Sequence, residues 1–476
     1  MHCEHADRTG RACSHLLERE QAHFRRFTGR GIELELVCEA CRESRDLVDV
    51  CAACQARAAD GGWSGVVGAP EIREQPSGLR FDHARIDLAP AMLDLQPVLG
   101  ADRALWIGLA GDGRLWRWDM DRGVLDALAH VPPAIDLAQP VTLRISRDAR
   151  LAAVANTRAQ HGAVIDLETG APTLTLVRED AHEEHCDFSL AFVEHAGRTL
   201  LVHAPEWNRL DLVDARTGEV ISTRESPRYE RDTPRPDHYL DYFHCGLTVS
   251  PDQRWIADNG WVWHPVGVLS TWSIEAWLAN VWESEDGPTR RDLCHRGYYW
   301  DGPVCWLDAT RLAVFGYGED DPLMPAARIF DVTTGDELRW FPGPDGDFVF
   351  DRVLVAMHRE HGATVWDVES GARLARDEAR LRYYHPGAKV FVSAATGGSV
   401  TASRLRGHAA QAAWNRGAVR DLARTIAAER TFDELPILGD ALEVAGCTDE
   451  ELLAHCRAPG AHGDRCWLLD RLDCDP

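Results

Sequence analysis

Five segments of the chain share one ending, and this internal repeat constrains the fold more than any other feature. In each segment an aromatic or β-branched residue precedes an aspartate, and a glycine follows four residues after the aspartate. The segments are WDMDRG (118–123), IDLETG (165–170), VDARTG (213–218), FDVTTG (330–335) and WDVESG (366–371). This pattern predicts a strand whose aspartate closes a tight turn, with the glycine in the left-handed conformation.

The spacing of the repeat glycines gives the number of units. The glycines are 47, 48, 117 and 36 residues apart, so the long gap holds one degenerate unit, centred on NGWVWHPVGVLSTWSIEAW. A seventh unit is suggested by KVFVSAATGGSVTASRLRG (389–407), which lacks the usual ending. An early strand around SGLRFDHARIDL (77–88) could complete this last unit, and such ring closure removes exposed sheet edges.

At about 40–45 residues per unit, this region resembles a WD-repeat β-propeller. The resemblance covers residues 77–407 and implies a mainly β fold with seven blades, six or eight being the alternatives. Helical spacing over residues 408–476 predicts a C-terminal helical module, and residues 1–76 form a separate cysteine-rich domain.

Two CxxC pairs lie nine residues apart in the first domain. They are formed by Cys38, Cys41, Cys51 and Cys54. Two such knuckles can complete a tetrahedral shell of thiolates, so the spacing predicts a structural zinc. A closed shell leaves no position for water or substrate, which excludes a catalytic role for this ion. A redox pair and buried, unliganded cysteines are the alternatives.

Further candidate ligands lie upstream of the CxxC pairs. Cys13 and His15 could replace one knuckle or help to bind a second ion, whereas Cys3 and His5 could equally belong to a frayed terminus. The order C-x-H, C-x2-C, C-x2-C is similar to the ubiquitin-binding zinc finger of ubiquitin-specific proteases. The downstream histidines of that family are missing here, so ubiquitin binding is not implied, and a treble-clef or ribbon-like knuckle is the more neutral prediction.

The net charge and the hydropathy of the sequence limit the kinds of partner and the cell compartment that we expect. A formal net charge of −25 argues against a nucleic-acid partner, because phosphate backbones are bound by basic surfaces. The sequence holds no run near the ~18 apolar residues of a membrane helix, and the first residues lack the apolar core of a secretion signal. We therefore expect a cytoplasmic protein without a membrane partner. In that reducing compartment, closely spaced cysteines favour metal binding.

Histidines and cysteines also cluster in predicted loops between strands. They are His182, His185, Cys186, Asp187, His238, His244, Cys245, Cys294, His295, His358 and His361. In a propeller, segments that join blades reach one face, so these residues could form a site at the channel mouth. They could equally be ordinary loop and core residues, since no spacing repeats between units. Likewise, five tryptophans are predicted to pack between blades rather than to stack on a ligand: Trp116, Trp118, Trp261, Trp263 and Trp272.

The sequence of the C-terminal module predicts short helices with capping residues. Leu435, Leu438 and Leu442 share one helix face, Gly446 ends that helix, and Thr448 opens the next with a capping box. A second metal site could be formed by His455, Cys456, His462 and Cys466, although Cys456 and Cys466 fit equally well as small buried residues.

No motif for nucleophilic or phosphate chemistry occurs: the sequence contains no P-loop, no G-x-S-x-G and no H-E-x-x-H. We therefore predict a non-enzymatic scaffold that binds other proteins. The prediction depends on the repeat, on the cysteine spacing of a four-thiolate zinc site, and on the absence of a catalytic motif. The alternative is a propeller hydrolase, or a protein that binds a small ligand or metal, with a His/Asp/Cys site at the channel mouth.

Overall fold

The computed structural model contains a small N-terminal sheet, a ring of antiparallel sheets and a group of C-terminal helices. It describes residues 10–18, 23–27, 34–41, 47–50, 54, 58, 63–67, 71–75, 77–88, 90–101, 103–179, 182–230, 232–318, 323–394, 398–406, 418–445, 447, 450–458, 466 and 468–469. No helix within these ranges is long and apolar enough to cross a membrane.

The N-terminal sheet has five strands in the order β4-β1-β3-β2-β5. Its strands are β1 Gly10–Ala12, β2 His23–Phe27, β3 Leu34–Val37, β4 Val48–Val50 and β5 Trp63–Val67, with an α-helix at Ser14–Glu18 and a 3-10 turn at Glu39–Cys41. The small core beside it includes Leu16, Leu36 and Val50, together with three of the cysteines. The buried carboxylate of Glu35 is paired with Arg11 at 2.5 Å.

Seven antiparallel sheets follow in the described part of the chain, and they are here called the first to seventh ring sheets. Their strands are, in order, β7 Met92–Pro97, β8 Leu105–Ala110, β9 Arg114–Asp119 and β10 Val124–His130; β11 Val141–Ile145, β12 Leu151–Asn156, β13 His161–Asp166 and β14 Pro172–Val177; β15 Leu190–His195, β16 Arg198–Glu206 and β17 Arg209–Asp214; β18 Thr248–Val249, β19 Trp255–Val262, β20 Val266–Ser273 and β21 Arg291–Gly297; β22 Val304–Trp306, β23 Arg311–Tyr317, β24 Met324–Asp331 and β25 Glu337–Pro342; β26 Asp347–Asp351, β27 Val353–His358, β28 Gly362–Asp367 and β29 Ala372–Asp377; and β30 Leu381–His385, β31 Val390–Ser393 and β32 Ser399–Arg406 with β6 Arg80–Asp87.

Each ring sheet shares a hydrophobic core with the next, and the seventh shares one with the first. The fold is therefore a β-propeller, as the repeat predicted. The predicted closing strand is also confirmed: β6 pairs with β32 from Arg80 opposite Arg406 to Asp87 opposite Ser399. Because the third ring sheet has only three strands, the predicted number of seven blades stays a prediction.

The repeat ending forms the predicted turn. In the second ring sheet, Asp166 Oδ1 accepts hydrogen bonds from the backbone amides of Glu168 and Thr169, at 2.9 and 2.8 Å. Gly170 has φ 73° and donates its N–H to the carbonyl oxygen of Asp166 at 2.8 Å. All five repeat glycines have positive φ. The aspartate therefore satisfies the turn amides, and glycine avoids the strain that a side chain would add.

The long gap in the repeat has two causes: the long connection 215–247 between β17 and β18, and an insertion in the fourth ring sheet. In the fourth ring sheet, the tight turn between β20 and β21 is replaced by two short helices, Ile274–Ala279 and Glu283–Asp286. Ser273 caps the first helix by accepting from the amide of Ala276, and Trp277 packs edge-on against the buried Trp272. The degenerate unit is thus one ring sheet with a helical insertion.

Residues 71–75, which precede the first strand of the ring, are bound to the sixth ring sheet. Arg373 exchanges backbone hydrogen bonds with this segment, and its guanidinium pairs with Glu74. Ile72 packs against the core that contains Trp366.

The C-terminal module is helical, as predicted. Its α-helices are Ala418–Glu429, Leu435–Val444 and Glu450–Arg457, with a 3-10 turn at Phe432–Glu434. Leu435, Leu438 and Leu442 are all buried in one core with Cys456 and Cys466. Gly446 and Thr448, on which the predicted helix stop and capping box depend, lie outside the described residues.

Candidate functional site

Four candidate metal ligands meet beside the N-terminal sheet. They are Cys13, His15, Cys38 and Cys41, whose ligand atoms all lie within 4.8 Å of one another. His15 Nδ1 is 3.2 Å from the sulfur of Cys41 and 3.7 Å from that of Cys38. Three sulfurs and one imidazole nitrogen are a known donor set for a structural zinc. We call these four residues the Cys/His quartet.

Local structure positions the quartet. Cys13 and His15 lie where β1 gives way to the short helix, and Cys38 and Cys41 flank the 3-10 turn after β3. Strands β1 and β3 are parallel neighbours, so the two turns leave the sheet at the same end. The amide of Cys38 donates to the sulfur of Cys13 at 3.4 Å.

The thiols of the quartet are electrostatically unequal. Burial raises the pKa of Cys41 to about 12, and hydrogen bonding with Cys38 adds to the rise. Burial also opposes ionisation of Cys38, but hydrogen bonds from Cys41, Cys13 and nearby amides outweigh it and lower the pKa of Cys38. Crowded thiols of this kind ionise readily only when a cation offsets the charge they gain.

The other predicted ligands differ in position. Cys54 is half-buried at the edge of the same small core and does not belong to the quartet. Cys51, Cys3 and His5 lie outside the described residues. The structure thus groups Cys38 and Cys41, the first CxxC pair, with Cys13 and His15. The sequence allowed this ligand set as well as a shell formed by the two CxxC pairs.

A second candidate site lies where three loops meet on one end of the ring. The loops are 182–189, between the second and third ring sheets, 243–247, before the fourth, and 298–303, before the fifth. Asp187 N donates to Asp301 Oδ2 at 3.1 Å, Ser189 Oγ donates to the carbonyl of His244 at 2.8 Å, and Trp300 Nε1 donates to the carbonyl of His185 at 2.6 Å. We call this region the loop junction.

Aromatic rings cover the loop junction. Phe243 stacks on Trp261 at 4.1 Å between ring centroids, and Trp207 and Trp300 extend the stack on either side at 4.5 and 5.0 Å. Trp263 is 52% exposed beside them, so its predicted packing between blades is wrong. The reason is its position, since Trp263 follows the last residue of β19 and lies in the hairpin turn.

A buried polar network lies beneath the aromatic rings. His244 Nδ1 is 2.5 Å from Asp258 Oδ2, both side chains are buried, and Asp258 Oδ1 accepts from the amide of Cys245 at 3.1 Å. The fully buried Arg296 donates to Asn259. Such groups tolerate burial because they are hydrogen-bonded.

Two cysteines of the loop junction contact each other. A hydrogen bond from Cys245 lowers the pKa of Cys186, and the guanidinium of Arg178, 3.9 Å from the Cys186 sulfur, lowers it further. Burial raises the pKa of Cys245. Cys186 is therefore the more acidic thiol of the pair.

The space at this point is small. A cavity of about 10 Å³ is lined by Arg178, Glu179, Cys186, Ala204, Glu206, Trp207 and His244. This volume holds about one water molecule. His244 Nε2 is buried and has no hydrogen-bond partner among the described residues. Cys186 and His244 therefore line one cavity, with Asp258 hydrogen-bonded to His244, and this cavity is too small for a substrate.

The sequence identified part of the loop junction. His182, His185, Cys186, Asp187, His244 and Cys245 come together there. His238 instead binds Asp286 at 2.9 Å, His295 is exposed on β21, and His358 stacks on His361. Asp258, Asn259, Arg296, Trp300 and Asp301 were missed. The polar Asp-Asn pair inside the otherwise apolar strand β19 was the available signal for two of them.

We expect an Asp301→Asn variant to have a flatter stability profile between pH 4 and 7. Burial and the like charge of Asp187 raise the pKa of Asp301 from 3.8 to about 7. A raised folded-state pKa gives stability that is complete below pH 3.8 and is lost as the pH rises to about 7. Asparagine stays neutral, so the variant gains on the order of 4 kcal/mol relative to wild type across this window.

Urea unfolding at several pH values measures this effect, with Asp336→Asn in an exposed turn as the control. A constant difference between wild type and Asp301→Asn from pH 4 to 7 would contradict it.

Comparisons with known proteins identify no family. No protein-family model matches the chain, and no curated protein matches it. Among solved structures, the chain is similar to a protein of the mitotic checkpoint complex, with a TM-score of 0.45, 14% identity and coverage of 71% of this chain and 96% of the other. It is also similar to BamB from Moraxella catarrhalis, with a TM-score of 0.40, 14% identity and coverage of 64% and 83%. At TM-scores below 0.5, these similarities carry no weight for function.

Proposed function

We propose that this protein is a non-enzymatic scaffold whose loop junction binds another protein. The observation that carries the proposal is the exposed aromatic surface at that end of the ring. Trp263 and Tyr298 are 52% and 68% exposed, and the amide of Tyr298 donates to the carbonyl of Pro265 in the Trp263 hairpin turn. Large exposed aromatic side chains next to one another are typical of protein-binding sites.

The alternative of a propeller hydrolase has less support. Cys186, His244 and Asp258 have the side chains of a nucleophile, base and orienting acid. However, the cavity beside Cys186 and His244 has room for about one water. A hydrolase would need space for a scissile bond next to the thiol.

The quartet has a supporting role in this proposal. Cys13, His15, Cys38 and Cys41 would hold a structural zinc, because their donor set and separation suit that ion. Four protein ligands leave no open position, so the ion would stabilise the N-terminal domain and perform no chemistry. The cytoplasm is the proposed location, since reduced thiols are needed as ligands.

We expect Trp263→Ala to weaken partner binding by at least about 30-fold, equivalent to about 2 kcal/mol for an aromatic residue that dominates an interface. Its free energy of unfolding should fall by only about 1–2 kcal/mol, because half of the ring is in solvent. The measurement is capture from the native cell with tagged full-length protein, followed by direct titration of the captured protein against wild type and variant.

Leu338→Ala is the matched control, since Leu338 is also 52% exposed but lies on the fifth ring sheet. Equal affinities of wild type and Trp263→Ala for the partner would show that Trp263 is not part of the binding surface. A protein captured equally by wild type, Trp263→Ala and a Tyr298→Ala variant would refute the loop junction as the docking site.

A further inference from the structure

Three potential metal ligands stand together at the rim of the loop junction. His182, Glu184 and His185 place one nitrogen or oxygen atom each within 4.8 Å of the others. Glu184 Oε1 is 3.1 Å from His185 Nε2 and 4.0 Å from His182 Nδ1. These side chains belong to loop 182–189 of the loop junction, but neither the quartet nor the exposed pair Trp263 and Tyr298 uses them.

We propose that His182, Glu184 and His185 bind one divalent transition-metal ion, such as Zn²⁺ or Ni²⁺. Two imidazoles and one carboxylate are the donor types that such ions prefer, whereas Ca²⁺ and Mg²⁺ select oxygen atoms. Bonds of about 2.0–2.2 Å to a tetrahedral ion place its ligand atoms about 3.3 Å apart. The present separations of 3.1 and 4.0 Å, with the third no greater than 4.8 Å, therefore need shifts of no more than about 1.5 Å, within the reach of side-chain rotation.

The segment that carries the ligands is held in place from below. Arg178, which is largely buried, donates to the carbonyl oxygens of Glu183 and Cys186 at 3.0 and 3.1 Å. The amide of His185 donates to the carbonyl of His182 at 3.0 Å, closing a 3-10 turn that brings the two histidines to the same side. Less conformational freedom is then lost when a metal binds.

The ring of His182 is also positioned by aromatic neighbours. It meets Phe243 edge-on at 5.5 Å between centroids, and the rings of Trp261 and Trp263 lie at 6.2 and 5.1 Å. His182 itself has φ 58°, a left-handed backbone conformation, and directly precedes the 3-10 turn Glu183–His185. Aromatic rings thus surround His182, and its Nδ1 lies 4.0 Å from Glu184 Oε1.

This site differs from the quartet in one chemical respect. Three protein ligands leave at least one coordination position open, and all three side chains are accessible to solvent. That position would be available to a donor atom from a second molecule, and the ring of His182 lies beside the exposed Trp263, at 5.1 Å between centroids. The metal would then add a directional contact to an otherwise aromatic surface.

The test uses the full-length protein, saturated with Zn²⁺, dialysed and then titrated with Ni²⁺ by calorimetry. We expect one added site per chain with micromolar affinity and no release of the zinc already bound. His185→Ala should weaken this site at least ~30-fold, because a lost ligand costs no less than the ~10–100-fold known for outer hydrogen-bond partners. Glu184→Gln, at a 61% exposed side chain, should weaken it ~10-fold without any effect on folding.

His361→Ala is the matched control. His361 belongs to another stacked histidine pair, for which no third ligand atom completes a group in the described part of the chain. Absence of an added site in wild type would overturn the proposal. So would unchanged affinity in both His185→Ala and Glu184→Gln, or an equal loss in His361→Ala. None of these results bears on partner capture, which Trp263→Ala tests separately.

Discussion

A Cys38→Ser variant of the full-length protein is expected to lose bound zinc and, with it, the folded N-terminal domain. Cys38 is buried and belongs to the quartet, with its sulfur 3.7 Å from His15 Nδ1. A serine hydroxyl is a far poorer ligand than a thiolate, so the remaining three residues hold the ion weakly.

The expected effect is large because the domain has little else to stabilise it. Its described hydrophobic core is small and includes Cys13, Cys38 and Cys41 themselves. Structural zinc sites contribute about 10–16 kcal/mol of apparent binding free energy at pH 7, and a domain of this size has a marginal core without it. Elemental analysis should find one or two zinc ions per wild-type chain and at least one fewer in the variant. Limited proteolysis should then cleave the variant before residue 71.

Two further variants separate the possible ligand sets. If the quartet holds the ion, His15→Ala loses it and Cys54→Ser keeps it; if the two knuckles form one shell, the outcomes are reversed. Cys305→Ser, at a half-buried thiol of the fifth ring sheet, is the control that should leave the zinc content unchanged. A wild-type protein without zinc, or a Cys38→Ser protein that retains all of it, would refute a structural metal here.

Much of the fold was predictable because short sequence motifs specify it. Each repeat ending combines an aspartate that accepts turn amides with a glycine at positive φ, and both requirements act within five residues. The closing strand was predictable for a different reason, since an incomplete last unit needs a partner for its exposed edge. The sequence did not show that the connection 215–247 and a helical insertion between Ser273 and Arg291 together lengthen the gap.

The sites were less predictable because they join distant segments. The CxxC spacing identified Cys38 and Cys41, but their grouping with Cys13 and His15 depends on β1 and β3 being parallel neighbours. At the loop junction, Cys186 and Cys245 meet across 59 residues, and nothing in either local sequence specifies the other. Trp263 was misassigned because a strand pattern does not show where the hairpin turn begins.

Replacing Trp106 with alanine should destabilise the propeller by about 3–5 kcal/mol, as expected for the loss of a large buried aromatic side chain. Trp106 is fully buried in the core that joins the first ring sheet to the seventh. Its ring lies 6.4 Å from Trp118 and meets His385 of β30 edge-on at 5.2 Å. The Trp106 Nε1 atom has no hydrogen-bond partner among the described residues, so the cost is one of packing alone.

The loss of Trp106 should affect more than the local packing, because the core between the first and seventh ring sheets closes the ring. His385 Nε2 lies 3.0 Å from the carbonyl oxygen of Leu105, and this contact spans the same pair of sheets. Urea unfolding followed by circular dichroism should show a lower midpoint for Trp106→Ala, and Trp106→Phe should recover part of the loss. Trp263→Ala removes an equal side chain from a half-exposed position and should lower the stability by less, about 1–2 kcal/mol. A cost below about 1 kcal/mol for Trp106→Ala would mean that the first and seventh sheets are not held together by this core.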